Sequence, residues 1–502
     1  MIAGDALKTL EMLKEGISIT YEKFDEKEFQ GDILIFEEST MLHTLAKTYF
    51  RMGKMSQAIL LIKRIKQGIE SLPRDDFEKN KQLTPIMLTL SDFLVQIGDY
   101  KEAIEVCDQG NKLSIRNNHG RYTPDFVYNK AICLYNLHGN DGGLLQQVYF
   151  GYIALGNKKR AEKIKSEAQK MGIDLKTHGA ENMQQDEPDY HFDFGNLPAS
   201  RNVGELLKNL REQQGLSAMD LYQGVCSKAN YFKIENGEIE PHVYYLEVFM
   251  QRLGRDINLY LNTFLSPKDF EEKQMRNEII LRLVEREYES AEELLLKLEK
   301  RKAYKSKVGL QFIKSAKVSI LTHKEGHTPE CLELIREALK LTRPEFDEDR
   351  VMRYCLSYNE IVLINEMALY FCRTNELDRG IRLFKMLRYS MDHSYLDETE
   401  KKRMYTTVLY NHSAALEEVG DYSQELQVAI KGQRLAVKYK QLTNLNGFAV
   451  NRASALFHMR RENKESVPFF AIAYYVSALL GHKQDQQAIA NFVQESLRMT
   501  FD

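Results

Sequence analysis

Asn365, Asn411 and Asn451 recur at intervals of 46 and 40 residues (411 − 365 and 451 − 411), each in a stretch whose apolar pattern marks the first helix of a helix pair. A carboxamide both donates and accepts hydrogen bonds, so one per helix pair makes a row of hydrogen-bonding rungs. Arg452 stands beside the last rung, and a guanidinium can take a carboxylate through two parallel bonds. The plainer alternative is that these amides bond helix ends and neighbours within the scaffold. Other reactive residue types offer less. His323, Glu325 and His327, in HKEGH, fall in a Gly-broken stretch with no third metal ligand in view. The chain has no GxxxxGKS/T phosphate loop, no GxSxG elbow and no supported Cys-His spacing, so neither an enzyme nor a cofactor or metal site is expected. Paired carboxylates such as Glu292-Glu293 and Glu417-Glu418 lie on amphipathic helix patterns and read as solvated faces.

The elements that must hold these groups are helix pairs punctuated by glycine. Leu42, Leu45, Ala46 and Tyr49 make one apolar stripe, Gly53 breaks it, and Ala58, Ile59, Leu61 and Ile62 continue on a second helix. The next pair turns at Gly98-Asp99-Tyr100, and a further helix carries Phe126, Val127, Ala131 and Leu134. Stacked pairs of this kind, with Ala where helices approach closely, indicate a tetratricopeptide-like solenoid. Helices of the same character resume from Pro267 to the end of the chain.

Between the two blocks lies Arg201 to Pro241, which differs from both. Val203, Leu206, Leu207 and Leu210 fall at i, i+3, i+4 and i+7, placing one apolar stripe on a helix that Gly215 ends. Ser217 can cap a second helix burying Met219, Leu221, Tyr222 and Val225, and Ser227 can cap a third that runs to about Asn236 and stops at Gly237. Gly215-Leu216-Ser217, Leu221, Val225-Cys226-Ser227 and Lys233-Ile234-Glu235-Asn236-Gly237, closed by Pro241, resemble the Cro/C1-type (XRE) helix-turn-helix domain. The length from Gly215 to Gly237 is one residue shorter than the commonest pattern, as in the Rgg and PlcR class of peptide-responsive regulators, which also join this domain to helical repeats.

The resemblance implies that the third helix enters the DNA major groove, with Ser227, Lys228, Ala229 and Asn230 at bases and phosphates and Lys233 near the backbone. Asn can pair with the edge of adenine, and Lys neutralises a phosphate. It also implies a homodimer, and an extended peptide or protein effector held on the concave repeat face by Asn365, Asn411, Asn451 and Arg452. Three residues depart from the family pattern. Ala218 replaces a phosphate-anchoring Gln, Tyr222 stands where two helices normally meet at a small residue, and Phe232 stands where a small polar residue is usual. Five bases (Arg201, Lys208, Arg211, Lys228, Lys233) face six acids (Glu205, Glu212, Asp220, Glu235, Glu238, Glu240) from 201 to 241, a net of −1 that offers DNA little neutralisation. The alternative is a scaffold or adaptor whose degenerate helix-turn-helix serves packing or dimerisation while the solenoid binds protein.

The second repeat block matches the first at one constant offset. Gly420-Asp421-Tyr422 repeats Gly98-Asp99-Tyr100 (420 − 98 = 322), and the same 322 relates Phe346-Asp347-Glu348 to Phe24-Asp25-Glu26, Ala368 to Ala46, and Asn451 to Asn129. A tandem duplication is the expected origin. At the Asn positions the first block carries His43, Thr89 and Asn129, with Lys130 beside the last, so its row of amides is mostly replaced. Met1 pairs with His323, so residues 201–322 have no counterpart ahead of the first block. Either a first helix-turn-helix was lost, or the chain is the later part of a longer protein or a split reading frame.

A chain of 502 residues exceeds the usual limit of a single core. The expected layout is all-α: helical repeats over 1–170, an acidic linker over 171–200, a helix-turn-helix domain over 201–265, and helical repeats over 266–502. A formal net charge of −3 supplies no global attraction to nucleic acid or an anionic membrane. No segment approaches the apolar length of a membrane helix, and the first residues do not make a signal peptide. The six cysteines form no CxxC pair, which fits reduced thiols in a cytoplasmic protein.

Overall fold

The computed structural model describes residues 2–20, 29, 36–71, 76–116, 120–139, 142–183, 202–255, 267–393, 404–460 and 464–501. Among these residues every regular element is helical, as the 3.6-residue apolar periodicity requires. In chain order the helices are α1 (Ile2–Thr20), α2 (Phe36–Arg51), α3 (Met55–Ser71), α4 (Asp76–Ile97), α5 (Tyr100–Arg116), α6 (Thr123–His138), α7 (Gly142–Ala154) and α8 (Lys158–Lys170). Next come α9 (Val203–Gln213), α10 (Ala218–Tyr222), α11 (Lys228–Glu235) and α12 (Val243–Arg252), then α13 (Pro267–Val284), α14 (Tyr288–Glu299), α15 (Lys307–Glu325), α16 (Pro329–Thr342), α17 (Tyr358–Arg373) and α18 (Leu377–His393). The last are α19 (Thr406–Glu418), α20 (Tyr422–Tyr439), α21 (Leu442–Arg460), α22 (Val467–Leu480) and α23 (Lys483–Leu497). No described helix is long and apolar enough to cross a membrane.

The chain forms two compact units: Met1–Asp186 with Lys440–Ala453 and Glu462–Asp502, and Glu187–Tyr439 with Ser454–Arg461. In the first, α1 to α8 pack in sequence, and α1 to α6 enclose a core that includes Leu42, Tyr49, Ile62, Leu90 and Phe126. The same unit takes in α22 and α23, with α22 lying along α7. Repeats that looked continuous from 266 to 502 in sequence are therefore divided by their packing. In the second unit, α9 to α12 share one core with α13 to α15 that includes Leu207, Leu221, Tyr231, Phe249, Tyr304 and Phe312.

Helix boundaries repeat at the sequence offset. Both ends of α2 and α17 differ by 322 (358 − 36 and 373 − 51), as do both ends of α3 and α18 (377 − 55 and 393 − 71). Past α21 the offset becomes 325 for the starts of α7 and α22 and of α8 and α23 (467 − 142 and 483 − 158). Backbone conformation repeats as well: the turn after α2 is left-handed at Gly53 (φ 79°), and the turn after α17 is left-handed at Asn375 (φ 63°). Asn is among the few non-glycine residues that adopt this conformation readily.

Part of the expected linker is packed structure. Leu175 and Ala180 are buried, and the Gln146 side chain accepts from Lys176 N at 2.9 Å and donates to Lys176 O at 2.6 Å. Bonding both backbone groups of one residue fixes this segment against α7. Residues 184–200, which carry Asp186, Glu187, Asp189 and Asp193, lie outside the described residues, as do Phe24-Asp25-Glu26, Arg201 and residues 256–265 at the end of the expected helix-turn-helix domain.

Candidate functional site

The helix-turn-helix forms with the expected caps. Asn202 caps α9, its side chain accepting from Glu205 N at 2.9 Å. Gly215 (φ 65°) ends it, and Leu216 N donates to Arg211 O at 3.0 Å. Ser217 and Asp220 make a reciprocal capping box on α10, with Ser217 N donating to Asp220 Oδ2 at 2.8 Å. Ser227 caps α11 by accepting from Asn230 N at 3.2 Å, and Gly237 (φ 73°) follows its last turn.

The core departs from expectation in two places. Met219 is 53% exposed rather than buried, because the five-residue α10 turns only Leu221 fully inward. Tyr222 is half-buried and its ring lies 5.6 Å from that of Tyr231, so the expected clash of a large residue at this crossing is met by ring packing. Tyr231 itself is fully buried, edge-on to Phe249 at 5.3 Å. Its hydroxyl donates to Glu235 Oε1 at 2.8 Å, and Arg211 Nε donates to the same oxygen at 2.7 Å. Arg211 also donates to Leu216 O at 3.0 Å, which ties α9, the turn and α11 together.

That ion pair leaves the net of −1 unchanged but bears on where the charge lies. Arg211 and Glu235 neutralise each other inside the domain, and Asp220 is committed to its cap. Ser227, Lys228, Ala229, Asn230, Phe232 and Lys233 are all exposed on α11 and its cap, while Tyr231, Ile234 and Glu235 face inward. The exposed face carries two lysines and no acid, so a segment of net −1 presents a locally positive helix. The Lys228 ammonium sits 6.0 Å from the Phe232 ring centroid, one turn along.

The domain is fastened to the repeats of its own unit by buried charge. Arg252, at the end of α12, donates through Nη1 to Leu221 O at 2.5 Å and Gln223 O at 2.9 Å. Its Nη2 donates to Thr342 O at 3.3 Å and to Glu360 Oε1 at 2.7 Å. Arg343 Nε donates to the same Glu360 oxygen at 3.2 Å, as does Thr342 Oγ1 at 2.7 Å. Burial alone would raise the Glu360 carboxyl, but Arg252, Arg343 and the Ser357 amide hold it down at about 2. Gly224 (φ 74°) completes the joint: a Cβ there would stand 1.9 Å from Thr342 O. The turn before α11 thus rests on the end of α16 with no room for a side chain. No sequence pattern marked Arg252, Arg343 or Glu360; a glycine in the turn is the one visible sign.

Of the amide row, the structure brings Asn365 and Asn411 together. Asn411 Nδ2 donates to Asn365 Oδ1 at 3.0 Å, and Asn365 Nδ2 donates to Glu366 Oε1 at 3.5 Å. Half-buried Asn411 keeps bonding capacity beyond that single donation. Glu366 was not singled out from sequence; burial pushes its carboxyl up to about 7, against the bond from Asn365. Asn451 and Arg452 belong to the other compact unit, where Arg452 lies 4.2 Å over the Phe469 ring. In the first block His43 Nε2 and Thr89 Oγ1, also 46 residues apart, are bonded at 2.8 Å, and Asn129 Nδ2 donates to Ser91 Oγ at 2.9 Å and Asp92 Oδ1 at 2.7 Å.

Several of the remaining candidates have structural partners. His323 stacks on Tyr288 at 3.8 Å, and Glu292 pairs with Lys324 at 2.5 Å. Glu417 and Glu418 are not merely solvated: Ser454 donates to the first and Arg373 pairs with the second, linking neighbouring repeats.

No family model and no characterised protein sequence matches the chain. Solved structures that are similar include PlcR of Bacillus thuringiensis in complex with the peptide PapR7 and DNA, at 18% identity over 58% of this chain and 100% of that one, with a TM-score of 0.40. ComR from S. thermophilus with DNA and its signalling peptide ComS is similar at 16% identity, over 59% and 99% of the two chains, with a TM-score of 0.32. The SHP pheromone receptor Rgg2 of Streptococcus dysgalactiae is similar at 17% identity, over 58% and 99%, also with a TM-score of 0.32.

Proposed function

We propose that the chain is a DNA-binding transcriptional regulator whose helical repeats take a peptide or protein effector. The observation that carries this reading is the exposed face of α11, where Lys228 and Lys233 flank Ala229, Asn230 and Phe232 with no acidic residue among them. Phosphate neutralisation supplies most of the affinity of a protein for DNA, and this face supplies it where a recognition helix needs it. The Arg252–Glu360 joint supports the regulatory half of the reading. It couples the turn before α11 to α16 and α17, and α17 carries Asn365 and Glu366. An effector shifts such a coupled system only through different affinity for two states.

Matching helix boundaries and the bonded pairs His43–Thr89 and Asn365–Asn411 support a tandem duplication in which the second block keeps the amides. A cytoplasmic homodimer completes the proposal. The test is binding of the full chain to a random-sequence duplex pool, titrated with salt. Regulators of this kind select sites and lose affinity steeply as salt rises; absence of binding at low salt leaves the scaffold reading in its place.

A further inference from the structure

Phe232 is 38% exposed on a helix whose inward positions are already filled by Tyr231, Ile234 and Glu235. At about 100° per residue, those three inward positions put the centre of the outward face near Ala229, Lys233 and Asn236, with Phe232 and then Lys228 toward one side and Asn230 toward the other. The exposed face is therefore partly apolar, Ala229 beside Phe232, framed by lysines. Leaving part of a large aromatic in water forgoes part of the stabilisation that full burial would bring, and its ring neighbours include Tyr231, edge-on at 6.0 Å, and the Lys228 ammonium.

A positively framed apolar spot on a helix end suits a surface that is negative at its rim and carries apolar groups on its floor. The major groove of DNA has that arrangement: phosphates line its edges, and the C5-methyl of thymine is its apolar base feature, against which Ala and Phe side chains pack. Resting on the DNA-binding reading above, we propose that Ala229 and Phe232 read thymine methyl groups, so that the site recognised by α11 contains A·T pairs at the positions beneath these two residues. Lys228 and Lys233 then hold the helix to the flanking phosphates, and the unusual aromatic is a specificity-determining residue.

Uracil lacks only the methyl of thymine, so the test needs no disruption of the protein. Duplexes are selected by the full chain from a random pool at low salt and remade with uracil in place of thymine. Their affinities are compared by fluorescence anisotropy for the wild-type chain and for Phe232→Ala. At roughly 0.8 kcal/mol per buried methyl-sized group, removing each recognised methyl should weaken wild-type binding about fourfold. The variant should bind thymine and uracil duplexes with closer to equal affinity, while its circular dichroism and melting match the wild type. Selected sites without A·T pairs, or equal wild-type affinity for both duplexes, overturn the inference while leaving DNA binding intact. Failure to select any duplex overturns the DNA-binding reading itself, and this inference with it.

Discussion

Phe150 and Tyr475 stack face to face, with centroids 4.7 Å apart and planes within 12°, and they occupy matching places in α7 and α22 (475 − 150 = 325). Gly151 on the same helix lies where a Cβ would stand 2.8 Å from Leu479, so the two helices approach closely around this stack.

Phe150 is fully buried there, so Phe150→Ala should destabilise the first unit by roughly 3–5 kcal/mol, through the apolar burial it removes and the cavity it leaves behind. Chemical denaturation followed by circular dichroism measures it. A loss below about 1 kcal/mol would show that the stack is not part of the core.

Glu360→Ala leaves Arg252 and Arg343 buried without their carboxylate. Removing one partner of a buried ion pair typically costs about 3–5 kcal/mol, and here the change should release the helix-turn-helix from α16 and α17. Hydrogen exchange should then rise in α12 and in the turn at Gly224. The Glu360 carboxyl is depressed in the folded state, so its contribution is present above its unfolded value near 4.5 and is lost as pH falls toward about 2. Unfolding measured over that range should show an acid-side decline in the wild type that Glu360→Ala lacks.

Glu425 titrates in the opposite sense. It is fully buried, neither carboxyl oxygen has a hydrogen-bond partner among the described residues, and burial, with Glu417 adding to it, pushes its carboxyl up to about 9. The folded state then holds a proton that the unfolded state releases above about 4.5, so this group's contribution falls steadily between about 4.5 and 9. Glu425→Gln, which keeps the shape and stays neutral, should raise stability at pH 7 by roughly 1–3 kcal/mol and flatten that decline. A destabilised variant would mean that the carboxylate has a charged partner.

Asn411→Ala removes the donor that holds Asn365 Oδ1 and should weaken effector binding without unfolding α19, since Asn411 is only half-buried. Isothermal titration with peptides recovered by panning a library on the full chain reads the effect, with weakening of about threefold to tenfold expected, the equivalent of one neutral hydrogen bond. Unchanged affinity would assign the amide pair to scaffold bonding alone.

Sequence made the all-α repeats, the caps at Ser217 and Ser227 and the stops at Gly215 and Gly237 legible, because periodicity, capping and left-handed turns are local signals. It could not show which charges cancel. Arg211 and Glu235 lie 24 residues apart and Arg252 and Glu360 lie 108 apart, so their pairing exists only once the chain has folded. The same limit explains Met219, whose outward turn depends on how short α10 is. The row Asn365, Asn411 and Asn451 reads as one feature from spacing alone, yet packing places the third in a different compact unit.

The central claim is that the exposed face of α11 neutralises DNA phosphates through Lys228 and Lys233. Its most direct test is the slope of log affinity against log salt for a selected duplex, compared between the wild-type chain and Lys228→Ala combined with Lys233→Ala. Each phosphate left without its lysine should reduce the slope by about one, so the double variant should be shallower by roughly two while keeping its fold. An unchanged slope, or no binding by the wild type at low salt, would contradict the account.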